Sequence, residues 1–122
     1  METFNGVQTF YAKTRKQWRQ WLEKYGQKKT EVFLIVHNKL SNTKTVSYAE
    51  AVEEALCFGW IDSVKYKRDA GSAYQRFSPR KPASKWSKTN RERAARLIKE
   101  GLMTTQGQKM IDLAKTRGTW EH

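Results

Sequence analysis

Residues 32–36 read Val-Phe-Leu-Ile-Val, five apolar residues without a break, inside the segment EVFLIVHNK (31–39). A strand with one face in water alternates apolar and polar residues. An unbroken run rich in β-branched and aromatic residues belongs to a strand covered on both faces. The run is far too short to cross a membrane. It therefore predicts a central strand over about 31–39, and the rest of the chain must supply two covers for it.

Helices flank this run. Thr14 stands three residues before Gln17, the spacing of a capping box, and Trp18, Trp21, Leu22 and Tyr25 recur at helical intervals up to Gly26. Ser47 and Glu50 repeat the spacing, and Ala51, Val52, Ala55, Leu56 and Phe58 form the inner side of a second helix stopped by Gly59. Gln8–Ala12 has the composition of a short strand. WIDSVKYKR (60–68) and AYQRFSPR (73–80) read as a hairpin around the turn DAGS, ended by Pro79 and Pro82, which cannot donate to a ladder. Helices over about 88–100 and 105–116 complete the chain. The expected fold is a single α+β domain over 1–122. It has a small antiparallel sheet, central strand 31–39 and hairpin about 60–80, packed with about four helices. The last two form a docked C-terminal pair.

Alternation along the hairpin sorts its side chains. A four-residue turn sets Lys65 opposite Arg76, a like-charge pair that becomes tolerable when an anion, a carboxylate or an aromatic ring lies between. One face would then hold Trp60, Val64, Tyr66 and Phe77 against the core. The other would carry Lys65, Lys67, Arg76, Arg80 and Tyr74. The next segment, RKPASKWSKTN (80–90), leads into a helix through Ser84, Ser87 and Thr89, whose hydroxyls can bond backbone N–H groups at the helix start.

Charge points the same way. The chain has net charge +12, and residues 63–122 hold fifteen Lys/Arg against five Asp/Glu, while residues 1–62 hold nine against seven. A positive field confined to one half favours an anionic partner. A helix-turn-helix reading of the last two helices would need an aliphatic residue six positions after the turn glycine Gly101. That position is Gly107, and the second helix is poor in base-reading side chains. Contact with phosphates through basic side chains fits better than sequence-specific DNA binding.

Catalytic chemistry finds little to build on. Apart from the terminal His122 the chain has one histidine, His37, which falls on the predicted central strand. No His/Cys/Asp/Glu spacing matches a metal site, and no glycine-rich loop follows a strand. The single Cys57 lies in the last turn of a helix, where the negative end of the dipole disfavours a thiolate, so a structural role is expected. The opening Met1-Glu-Thr-Phe-Asn-Gly lacks the features of a signal peptide, and the expectation is a cytoplasmic protein.

ALCFGWIDS (55–63), YQRFSPRKPASKWSKTN (74–90) and KEGLMTTQG (99–107) resemble the hallmarks of the YdeI/OmpD-associated (OmdA-like) bacteriocin-protection family, and the resemblance runs through nearly all of the chain from Thr14 onward. It implies a bacterial protein linked to tolerance of bacteriocins or cationic peptides, and carries over no catalytic residue. A cationic chain would not easily capture a cationic peptide, so protection would be indirect.

These readings converge on a binding module without catalytic residues, metal or cofactor. Lys65, Tyr74, Arg76, Arg80, Lys85, Trp86, Lys88 and Asn90 would contact an anionic partner, with Trp86 open between a stacking platform there and a lid over the core, and Asp62 would orient an arginine from the neighbouring strand. The partner classes, in order, are nucleic acid or another polyanion, an acidic protein, and a small phosphorylated or carboxylated ligand. The alternative is a small-molecule-binding protein or enzyme whose pocket lies between the FGWID and QRFSPR segments.

Overall fold

The run 32–36 does form the middle of a sheet. In the computed structural model, which describes residues 2–121, the strands are β1 (Thr3–Phe4), β2 (Val7–Tyr11), β3 (Val32–His37), β4 (Trp60–Asp69) and β5 (Ser72–Pro79). They lie in the order β1-β2-β3-β5-β4, with β3 at the centre. Four helices, α1 (Arg15–Tyr25), α2 (Tyr48–Cys57), α3 (Lys88–Lys99) and α4 (Thr105–Arg117), make the fold α+β. The sheet is mixed rather than wholly antiparallel, because β2 and β3 run parallel. Helix α1 carries the chain from the end of β2 back to the start of β3, the crossover that a parallel pair requires. His122 lies outside the described residues.

The two covers of β3 come from different places. Val32 and Leu34 enter the main core with Trp18, Trp21 and Leu22 of α1, Val52, Ala55 and Leu56 of α2, Leu97 of α3 and Ile111 of α4. Phe33 and Ile35 point the other way, into a second cluster with Tyr74, Phe4, Val7 and Tyr11. There Phe4 stacks on Tyr74 at 4.3 Å and meets Phe33 edge-on at 5.0 Å, so the N-terminal strands fold across the outer face of the sheet. His37 is held by local contacts, with Nδ1 2.9 Å from Ser41 Oγ and the ring edge-on to Tyr11.

The helix starts follow their sequence signals. Thr14 caps α1, and Gln17 turns its side chain back to the Lys13 N–H at 2.7 Å. Ser47 and Glu50 form both halves of a capping box on α2. After Phe58 the chain turns at Gly59, whose φ of +77° suits glycine, and enters β4. Glu54 is buried on α2, where Arg15 Nη2 at 2.6 Å and Arg19 Nη1 at 3.0 Å neutralise it.

Simple alternation fails in the hairpin. Asp69 pairs with Ser72 at the turn, as a four-residue connection requires, but two bulges follow on β4, between Lys67 and Asp69 and between Asp62 and Lys65. Lys65 therefore lies opposite Gln75 rather than Arg76, Lys67 opposite Ala73, and Asp62 opposite Phe77. The expected face grouping changes with the register. Trp60 and Phe77 are in the core as expected, but Val64 is 48% exposed and Tyr66 packs with Phe4 and Phe33 on the outer face. Lys65 and Lys67 share the helix-side face with Asp62 and Gln75, while Tyr74 and Arg76 project from the other.

Candidate functional site

The helices cover only part of their face of the sheet. Beyond Trp60 the residues of β4 emerge from under them, and an open cleft of about 630 Å³ lies over the uncovered part. Val36 and Ala73 give it an apolar floor. Asp62, Lys65, Lys67 and Gln75 line it from the strands, and Tyr48, the first residue of α2, closes one side.

The bulge between Asp62 and Lys65 creates this grouping. On an unbroken strand Asp62 and Lys65 would face opposite sides, because successive side chains alternate. One extra residue restores the same side, and bulges commonly re-aim side chains in this way. Gln75 holds the irregularity. It is 3% exposed, and its Nε2 donates to the carbonyl oxygens of Ser63 at 3.1 Å and Val64 at 3.2 Å, which the interrupted ladder leaves available.

At one end of the cleft the Tyr48 hydroxyl donates to Asp62 Oδ2. Burial and this bond to a carboxylate push the Tyr48 phenol up to about 12, so at neutral pH it acts as a donor. Asp62 does not meet the strand arginine expected of it; among the described residues it forms no ion pair, and tyrosine takes that place. Lys65 and Lys67 also form no ion pair among the described residues.

The other expected site residues do not assemble on one surface. Tyr74 lies on the outer face, its hydroxyl bonded to Glu2. Arg76, also outer, has Nε 2.6 Å from Glu31 Oε2 and a longer bond from Nη1 to Ser63 Oγ at 3.2 Å. Arg80 is buried. Its guanidinium lies 4.0 Å above the Trp86 ring, and Nη2 donates to the Lys85 carbonyl at 2.8 Å. Trp86 is 1% exposed against Trp120, so it is a lid on the core and not a stacking platform. Lys85 and Lys88 are exposed. Asn90 is in the first turn of α3, accepting from Arg93 Nη1 at 3.0 Å. Of the expected set, only Lys65 and Asp62 meet in the cleft.

Tyr48, Lys67 and Gln75 complete that cleft and were missing from the expected set. Alternation puts Lys67 on the cationic face, but the bulge that joins it to Asp62 has no sequence signature here. Tyr48 lies inside the Ser47–Glu50 capping box, which marks the helix start without indicating which way the tyrosine side chain leans. Cys57 is fully buried, and burial pushes its thiol up to about 11, in keeping with a structural role. Among the described residues no group of three or more His, Cys, Asp or Glu could hold a metal ion, and no helix is long and apolar enough to cross a membrane.

A family model described as a domain of unknown function (DUF8412) matches residues 10–110, and the chain belongs to that family. No curated protein and no solved structure matches it.

Proposed function

We propose that this member of the DUF8412 family is a binding module for a small anionic molecule, received in the cleft over Lys65 and Lys67. One observation carries the reading: the Gln75-held bulge turns two lysines without ion-pair partners among the described residues onto the same face as Asp62. Lys65 and Lys67 lie two residues apart along β4, so their ammonium groups can converge on one carboxylate or phosphate, with roughly 7 Å between their Cα atoms. Val36 and Ala73 offer apolar surface to the body of the ligand. No catalytic step is assigned to these residues. The resemblance to the OmdA-like family supports a role in bacterial antimicrobial tolerance, exerted indirectly from the cytoplasm.

A second reading, a polyanion surface, is favoured by Lys81, Lys85 and Lys88. All three are exposed around the start of α3, with no ion pair among the described residues. It replaces the expected surface of Tyr74, Arg76, Arg80 and Trp86, whose groups are bonded or buried elsewhere.

The test measures binding of citrate and of a labelled single-stranded oligonucleotide at two salt concentrations. It compares the unmodified chain, Lys65→Met/Lys67→Met and Lys81→Gln/Lys85→Gln/Lys88→Gln. The cleft reading expects saturable citrate binding that weakens about tenfold or more in the first variant, each charge-assisted contact being worth about 1.5–3 kcal/mol. Oligonucleotide binding that falls steeply with salt and is lost only in the second variant would replace it with the polyanion reading. Citrate binding unchanged in the first variant would overturn the cleft site.

A further inference from the structure

Resting on the cleft reading above, we infer that the ligand is a zwitterion, with a protonated amine seated at Asp62 and Gln75 and an anionic group at Lys65 and Lys67. The cleft is lined by two carboxylates that differ in chemistry: Asp69, beside Lys67, already accepts from Arg68, Gly71 and Ser72, whereas Asp62 is only half engaged. Asp62 Oδ2 accepts from Tyr48, and Oδ1 has no hydrogen-bond partner among the described residues. Gln75 stands beside it. Its Nε2 is committed to backbone carbonyls, so its amide orientation is fixed and Oε1 can only accept. No described residue donates to that Oε1, although the side chain is almost wholly buried and lines the cleft. That oxygen is not among the buried atoms left without a partner, so it is open to the cleft and takes its donor from solvent or from a ligand there.

The neighbouring charge does not fill that need. Arg80 attracts Asp62 through space, but its one directed bond goes to the Lys85 carbonyl. A dianionic ligand laid along the cleft would bring a second negative group to Asp62. An amine there would bond both Asp62 and Gln75, and the ligand's anionic group would then reach the lysines. Along β5 the partners of Asp62, Lys65 and Lys67 are Phe77, Gln75 and Ala73, each two residues from the next. The acidic and basic positions are therefore spaced by roughly 7 Å per step on one face. That is the span of a short amino acid with its amine and carboxylate at opposite ends.

Three five-carbon probes separate the alternatives: δ-aminovalerate carries both groups, valerate only the carboxylate, and glutarate two carboxylates. Amide NMR titrations of the full chain at millimolar probe concentrations, with the cleft resonances as readout, should rank δ-aminovalerate first by about tenfold, one charge-assisted contact. Asp62→Asn should bring δ-aminovalerate down to the level of valerate, whereas valerate, which has no amine to lose, should not weaken. Lys65→Met/Lys67→Met should abolish all three. If valerate and glutarate bind as well as δ-aminovalerate and Asp62→Asn changes nothing, the zwitterion inference falls while the anion cleft stands. If no probe shifts the cleft amides, both fall.

Discussion

Gln75 Nε2 donates to the carbonyl oxygen of Ser63 at 3.1 Å, so a buried side chain on one strand closes an irregularity in the next. Without that donor the bulge would leave backbone carbonyls without partners and the side chains after it without a fixed direction. Gln75→Leu keeps the volume and removes the donor. It should destabilise the chain by about 1–3 kcal/mol, the range for stranding a buried polar group. Amide exchange should accelerate over residues 63–65 and stay slow in β3. Equal protection at both places in the variant would show that the bulge holds itself.

Arg80 raises the question of whether its charge or its bulk matters. It has one directed bond, and Nε and Nη1 are buried without partners among the described residues. Burial lowers its pKa to about 10, partly offset by Asp62, so the charged form is disfavoured at this site. Arg80→Met keeps the apolar stem but removes the guanidinium that lies over Trp86, and its cost should stay within about 1 kcal/mol. Arg80→Ala also removes the packing and should cost about 2–4 kcal/mol. Urea denaturation distinguishes them. Equal losses would mean that the guanidinium itself holds the lid.

The fold was more legible than the site because different signals carry them. Val32–Val36 announces a doubly covered strand, and Ser47 with Glu50 announces a helix start, each through local chemistry that tertiary contacts left in place. The second cover, built on Phe4 and Val7, was not read, since a two-residue strand has too few positions to show a period. The cleft failed for a sharper reason. Strand alternation is a parity argument, and a single inserted residue reverses every assignment beyond it. Lys65 and Asp62 are both expected site residues, yet alternation puts them on opposite faces, with arginine neighbours that the bulges and Glu31 take away. Arg80 lies in the core instead of on a binding surface, and Trp86, open between lid and platform, is the lid, because an aromatic–cation pair reads alike whether it meets a ligand or packs on itself.

Gly107 offers a prediction opposite to helix propensity. It sits inside α4, where alanine would ordinarily gain about 1 kcal/mol. A Cβ at this position would stand 2.4 Å from the Cys57 carbonyl oxygen and 2.7 Å from its carbon, backbone atoms at the end of α2 that cannot swing away. Thr104 also donates to that carbonyl from both its N–H and its hydroxyl, so α4 is fastened where the clash would occur. Gly107→Ala should therefore destabilise by about 1–3 kcal/mol, as overpacking does. A higher melting temperature for the variant would show that α4 shifts freely.

Glu2 ties the N-terminal strand to the outer face and makes its hold dependent on pH. Its two oxygens accept from Arg68 Nε and Nη2, both at 2.9 Å, and Oε2 also accepts from the Tyr74 hydroxyl. The bond from Arg68, followed by that from Tyr74, lowers the carboxyl from its ordinary 4.5 to about 2. A depressed carboxylate pKa stabilises the folded state fully above the unfolded value. That contribution fades as pH falls through the folded value, so the window runs from about 4.5 down to 2. The Glu2 side chain is 37% exposed, so solvent screening keeps the contribution to about 1 kcal/mol or less. Glu2→Gln, which cannot ionise, should melt slightly below the unmodified chain at neutral pH. The gap should close across that window as both side chains become neutral. A gap of the same size at the acid end would show that the ionised carboxylate contributes nothing, and would assign the difference to how the neutral amide and the neutral carboxyl meet the Arg68 and Tyr74 donors.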